Sequence, residues 1–244
     1  MPLKRARKTG KTKLPTANLE RIADSIRQSF SAKDLAREKA LRLCREVIRY
    51  SANTIRAVHR QEFDEAGKLL KQTRGLLDEV GEILAGHQDL FHAGLVHDSQ
   101  KEFAEASITM ALVSGKPLPV PEALKVGLPA YLNGLGEAAG EMRRHVLDQL
   151  RKGDLANTEE KLAMMDDIYG VLVTMDFPDA ITGGLRRTTD MVRGVLERTR
   201  GDLTLALELR ALGAKLESFR RKRKVPSPLE GEGEGASYYS SPGK

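Results

Sequence analysis

The sequence predicts an all-α protein, an antiparallel bundle of about six to seven helices. Apolar residues recur three and four positions apart through most of the chain, the period of a helix with one buried face. No run alternates apolar and polar residues between turn signals, as a half-buried strand would. Proline and glycine concentrate at a few points that separate long segments. With 244 residues and 40% hydrophobic content, the chain can bury one full core. A single helical domain over 17–224 is expected, between a basic arm at 1–16 and a Gly/Ser/Pro/Glu-rich tail at 225–244, both too polar to pack.

The first helix begins after Asn18, a candidate cap, and carries Leu19, Ile22, Ile26 and Phe30, then Leu35, Leu41, Cys44, Val47, Ile48, Ile55 and Val58. Ser31 marks a break or re-capping point, so this is one long helix or two collinear ones. Its other face carries Arg42, Arg45, Arg49, Arg56 and Arg60 in one stripe, with few acids between them. A second helix runs from about Glu62 to Ala85 and ends at Gly86. The next stretch holds three of the five histidines, His87, His92 and His97, without the i, i+3 or i, i+4 spacing of a helical zinc pair. Contact with phosphate or a base suits His87 and His92 better.

A third helix contains Glu102 and extends to about Ser114, where three prolines, Pro117, Pro119 and Pro121, stiffen the connection. A helix from about Pro121 to Arg151 follows, bent near Gly127 and Pro129. Another covers Glu159 to about Val173 and is broken by Asp176-Phe177-Pro178-Asp179. The last helical region, about Ala180 to Arg221, is expected to be two helices meeting near Gly201-Asp202.

Two carboxylate pairs stand out. Glu102 with Glu105, and Glu137 with Glu141, each place two acids on one helical face, in segments otherwise rich in Ala, Leu, Ile and Met. Glycines at 134, 136 and 140 suit close backbone approach. If the two helices face each other, four acids converge. Two carboxylates about 4 Å apart repel by roughly 4 kcal/mol at an effective dielectric near 20, so the quartet calls for bound protons or a hard divalent cation, Mg2+ or Mn2+. Without that cation, the acids are expected to repel a phosphate substrate.

Composition narrows the function further. Forty basic residues against 34 acidic ones give a formal charge of +6, which favours an anionic partner such as nucleic acid. Aromatic content of 5% with no Trp argues against a base-stacking single-strand platform. No Walker-type phosphate loop occurs. Cys44, the single cysteine, excludes an intramolecular disulfide and reads as a small buried hydrophobe. No stretch approaches the length of a membrane span and the basic N-terminus lacks a hydrophobic signal core, so a cytoplasmic setting and no membrane partner are expected.

Several segments, taken in order, resemble the translin family, which comprises translin, translin-associated factor X and simpler archaeal and bacterial relatives. They are Arg45 to Arg49 with Ile55 to Arg60, the Glu-Phe-Ala-Glu-Ala run at 102–106, Leu132 to Glu141, Asp166-Asp167-Ile168-Tyr169, and Phe177-Pro178-Asp179-Ala180. The resemblance spans about 18–222. It implies seven helices, a hollow homo-oligomer that is often octameric, and binding of single-stranded or structured RNA and of DNA. It also implies, from the factor X branch, a metal-dependent endoribonuclease whose acids face the cavity. Carried over, those acids fall on Glu102, Glu105, Glu137 and Glu141, as catalytic and metal-holding residues. The chain departs from that branch with Phe103 in place of Tyr and Glu137 in place of Asp. The expected function is therefore Mg2+- or Mn2+-dependent RNA hydrolysis, with Arg42, Arg45, Arg49, Arg56, Arg60, His87 and His92 on the nucleic acid.

Three other readings compete. A non-catalytic RNA or single-stranded DNA binder of translin type would not need the four acids. A ferritin-like di-metal bundle needs Glu-x-x-His pairs, and no Glu in the chain has a His three residues on. A helical adaptor would not need the net basicity.

Overall fold

The computed structural model describes residues 16, 18–92, 94–155 and 157–223. The expected arm, apart from Thr16, and the expected tail lie outside the described residues. Among those described there is no strand, and the helices are α1 (Leu19–His59), α2 (Phe63–Leu84), α3 (Gln88–Phe91), α4 (Gly94–Ser114), α5 (Pro121–Leu124), α6 (Leu128–Arg151), α7 (Thr158–Val173), α8 (Asp179–Thr182) and α9 (Leu185–Arg223). No helix among the described residues is long and apolar enough to cross a membrane. The chain divides into two compact units, Met1–Thr199 and Arg200–Lys244.

In the first unit α4 is the central element, packed by α1, α2 and α6. Every residue from Phe103 to Thr109 is buried, so this stretch has no solvent face. Ala40, Leu43 and Cys44 of α1 meet Val80 and Leu84 of α2 and Val96 of α4 in one apolar cluster. Ala57, Val58 and Ala66 form another, with Met110 and Val113 against it. Cys44 is fully buried and accepts a hydrogen bond from Ser99 Oγ at 3.5 Å; burial pushes its thiol pKa up. The small-hydrophobe reading holds. Phe103 is buried beneath the Arg74 guanidinium, 5.6 Å from its ring centre, and Arg74 also donates to the Leu124 carbonyl at 2.5 Å. One arginine thus ties α2, α4 and the end of α5 together.

Two boundaries differ from expectation, and one that the sequence left open is decided. Of the two arrangements open at Ser31, one long helix is found, because an exposed serine costs a helix interior only a few tenths of a kcal/mol. The segment after Pro121 is not one bent helix. Lys125 adopts a left-handed conformation, φ 47°, that ends α5, and Pro129 then sits in the first turn of α6, where its missing N–H costs nothing. The last region breaks at Gly183 and Gly184, with φ of 61° and 82°, and α9 continues through Gly201-Asp202. A side chain at Gly183 would also meet His97 Nε2 at 2.9 Å, so both backbone angle and space demand glycine there.

The glycines of α6 set how closely its neighbours approach. A Cβ on Gly134 would lie 2.7 Å from the Lys101 carbonyl oxygen, and one on Gly136 would lie 2.4 Å from Thr188 Cγ2 of α9. Two residues apart on a helix, these positions point to opposite sides, so α6 is squeezed between α4 and the start of α9. Gly140 has nothing within 4 Å of its would-be Cβ, so close approach does not explain it. Asn133 anchors the same region. Its Nδ2 donates to the carbonyls of Pro129 and Thr182, each at 2.9 Å, and its Oδ1 accepts from Thr188 Oγ1 at 2.6 Å.

Apolar residues remain exposed in both units. Leu19, Ile22, Ile26, Phe30 and Leu35 are exposed on the first half of α1. In the second unit Leu205, Leu209, Leu212, Leu216 and Phe219 are exposed, at alternating spacings of four and three that stack them into one stripe.

Candidate functional site

The close contact of α4 and α6 at Gly134 brings the two acid pairs together, and three of the four meet. Glu102, Glu105 and Glu137 place one carboxylate oxygen each within 4.8 Å of one another, the only such group of three or more His, Cys, Asp or Glu among the described residues. All their donors are hard carboxylate oxygens, the set suited to a hard divalent ion, so the three residues could hold a metal.

Glu141 takes another partner. Its Oε2 lies 2.5 Å from His59 Nε2 and 3.7 Å from Arg144 Nη1. Helical spacing puts Glu137 and Glu141 on one face, as expected, yet His59 of α1 reaches the second acid. The His59 side chain is only 6% exposed, and its buried Nδ1 has no hydrogen-bond partner among the described residues. The His145 ring stacks against it with centroids 6.4 Å apart; burial, then the nearby Lys161 and His59, hold the His145 pKa down. Neither histidine joins the acid trio.

Lys101 is the residue that sequence reading missed. Its Nζ donates to Glu137 Oε1 at 2.7 Å and lies 3.6 Å from Glu102 Oε1. Burial pulls this ammonium pKa down, but the contacts with Glu137, Glu102 and Asp98 outweigh burial and raise it overall. Lysine beside glutamate on a helix ordinarily points to water. The available signal was its i, i+4 relation to Glu105, inside the acid segment itself.

Charge is distributed unevenly over the acids. Glu105 is 8% exposed, and its pKa is pushed up from 4.5 to about 9, first by burial and then by the charges of Glu137, Glu102 and Glu141. Glu102 is raised too, again first by burial, with Lys101 opposing and Glu137 adding. Glu105 therefore carries a proton at neutral pH. Such a proton is what an acid cluster holds when no cation replaces it.

The five arginines of the α1 stripe are all exposed. Arg49 stacks on Tyr50, 5.1 Å from the ring centre, Arg56 donates to Asn53 Oδ1 at 2.9 Å, and Arg60 grips Glu62 with two bonds of 2.8 and 2.6 Å. Arg56 and Arg60 share a cleft with His59 and the last turns of α6; Arg42, Arg45 and Arg49 do not line it. His87 precedes α3 and is half-buried, while exposed His92 packs edge-on against Phe91 at 5.5 Å. Among the described residues, neither histidine joins the acid group.

No family model matches the chain. An uncharacterized protein of Methanocaldococcus jannaschii is 30% identical over 181 residues, covering 72% of this chain and 78% of that one. Among solved structures, AfC3PO in complex with duplex RNA aligns with TM-score 0.71 and 30% identity, over 78% of this chain and 98% of that one. AfC3PO alone aligns with TM-score 0.71 and 31% identity over the same shares. NeC3PO without ligand, at 18% identity and TM-score 0.69, shares the fold.

Proposed function

The chain belongs to the translin family, and from that premise we propose that it is a C3PO-like endoribonuclease. In this reading it is metal-dependent, binds single-stranded or structured RNA, also accepts single-stranded DNA, and works within a homo-oligomeric helical shell in the cytoplasm. The convergence of Glu102, Glu105 and Glu137 within 4.8 Å carries the catalytic part. The similarity to AfC3PO, which was solved with duplex RNA, supports RNA as the partner. The exposed apolar stripes of α1 and α9 support assembly, since contiguous apolar faces mark interaction sites.

Glu102, Glu105 and Glu137 would hold Mg2+ or Mn2+. Such an ion supplies positive charge at the scissile phosphate and lowers the pKa of an attacking water. The chain's own residues do the rest. Glu105 would have to give up its buried proton for all three carboxylates to serve as ligands. Lys101 holds Glu137 and Glu102 in place, and His59 fixes Glu141 beside them. Exposed arginines of α1 carry backbone phosphates without reading sequence, because phosphate contacts position a strand but do not specify it.

One observation favours the non-catalytic reading. Lys101 already satisfies Glu137, so the cluster stands as an internal ion pair without any metal. Incubating the protein with labelled single-stranded RNA, with and without Mn2+, separates the two readings. Metal-dependent cleavage is expected, reduced at least about 100-fold in Glu102→Gln/Glu105→Gln, the scale seen when positioned charge is removed from an active site. Cleavage that survives both chelator and substitution, or is absent from the wild type, rejects the nuclease. Sedimentation of the same sample as a monomer rejects the shell.

A further inference from the structure

A polar cleft of about 830 Å³ opens where the end of α1 meets the last turns of α6. Arg56, Arg60, Arg144, Arg151 and Lys152 line it with His59, against only two acids, Glu62 and Asp148. Both acids already have partners in the cleft: Glu62 binds Arg60 at 2.6 Å, and Asp148 lies 3.3 Å from Arg151. Among the described residues Arg56 donates only to the neutral Asn53 oxygen, and Lys152 is exposed. The lining thus carries an excess of three positive charges before His59 is counted. Glu141, outside the lining but 3.7 Å from Arg144, lowers the excess to two and does not cancel it.

His59 links the cleft to the helix face that bears the acids: it lines the cleft and bonds Glu141, one turn along α6 from Glu137. Along α6, Glu137, Glu141, Arg144, Asp148 and Arg151 follow at alternating spacings of four and three, on one face of the helix. At 1.5 Å per residue, Arg144 stands about 10 Å and Arg151 about 21 Å beyond Glu137 along the axis. Each strand of duplex DNA carries one phosphate per roughly 3.4 Å of axis, and at a similar spacing these distances correspond to about three to six nucleotides of RNA.

We propose that this cleft is a second RNA subsite, which holds backbone phosphates of the strand about three to six nucleotides from the acid cluster. It rests on the RNA reading above and assigns Arg144, Arg151 and Lys152 of α6, with Arg56 and Arg60 of α1, to the phosphates. The acid cluster and the cleft then act as two fixed points along α6, and a strand must be long enough to reach both.

The test is binding of single-stranded RNA of about twelve nucleotides, roughly 40 Å if helical and so long enough to span both sites. Fluorescence anisotropy in chelator, over a range of salt, compares wild type with Arg151→Ala/Lys152→Ala, both exposed positions at the end of a helix. The affinity is expected to fall about tenfold, and the salt slope to shrink by about 1.4, the value for two lost single-strand phosphate contacts. An unchanged affinity or slope in a variant that melts like the wild type overturns the subsite. A calorimetric titration with inorganic phosphate that responds to the substitutions, while RNA binding does not, overturns it in favour of a free-anion site. Wild type that binds no RNA rejects the RNA reading and the subsite together.

Discussion

Glu105→Gln is expected to make the metal-free protein more stable at neutral and alkaline pH while removing its capacity for a divalent ion. The folded state holds a proton on Glu105 up to about pH 9, whereas the unfolded chain releases it near 4.5. Between those values the native state binds more protons than the unfolded one, so stability falls as pH rises, by at most about 1.4 kcal/mol per unit. Below the window both states are protonated and the dependence vanishes. Glutamine keeps the shape and the neutral form without that slope. At pH 8 the variant should gain roughly 5 kcal/mol, or about 10–20 °C in melting temperature for a chain of this size. Melting curves from pH 4 to 9 with excess chelator measure this. Parallel pH dependence in the two proteins means Glu105 is ionised in the fold. Addition of Mn2+ should raise the wild-type melting temperature, increasingly so at higher pH because the ion competes with a proton, and should leave the variant unmoved.

Gly134→Ala is expected to have the largest structural effect. Its Cβ would meet three atoms of α4 at once, the Lys101 carbonyl oxygen at 2.7 Å, Ala104 Cβ at 2.9 Å and the Glu105 nitrogen at 2.9 Å. Two of these are backbone atoms of a helix packed on three sides, so no side chain can swing away. Overpacking of this kind costs about 1–3 kcal/mol, and relief requires α4 and α6 to separate. Separation parts Glu137 from Lys101 and Glu105, so loss of stability and loss of divalent binding should appear together. Gly140→Ala is the matched control, because nothing lies within 4 Å of its added methyl and alanine favours a helix by roughly 1 kcal/mol over glycine. Equal destabilisation by the two substitutions would rule out the contact as the cause.

Periodicity made the helices and the core legible, because both follow from which faces are apolar. It also gave the two acid pairs, Glu102 with Glu105 and Glu137 with Glu141, while the facing that would join them as a quartet came from the family resemblance. Helix ends at Lys125 and at Gly183 were not legible, since they depend on single backbone angles that a lysine or a pair of glycines can adopt in many contexts. The same limit hid the partner of Glu141. Spacing gives the face on which a side chain lies, but His59 stands 82 residues away, and only packing of α1 against α4 brings it there. Lys101 went unread for a related reason: a lysine in a helix is normally long enough to reach water, and here the neighbouring α6 captures it first.

That captured lysine changes how the site would meet an RNA substrate. The sequence suggested a quartet of bare anions that would drive phosphate away until a metal arrived. Instead, with Glu105 protonated and Lys101 charged, the trio carries at most two ionised carboxylates against one tethered ammonium, 2.7 Å from Glu137. At the dielectric of a partly buried surface the remaining repulsion is small beside several arginine contacts. Under the proposed function, RNA and metal would therefore load in either order, and Lys101 would stay tethered to the same helix turn beside a bound ion. Retention of RNA by the wild type in chelator, weakened in Lys101→Met, is the mark of such a built-in counterion.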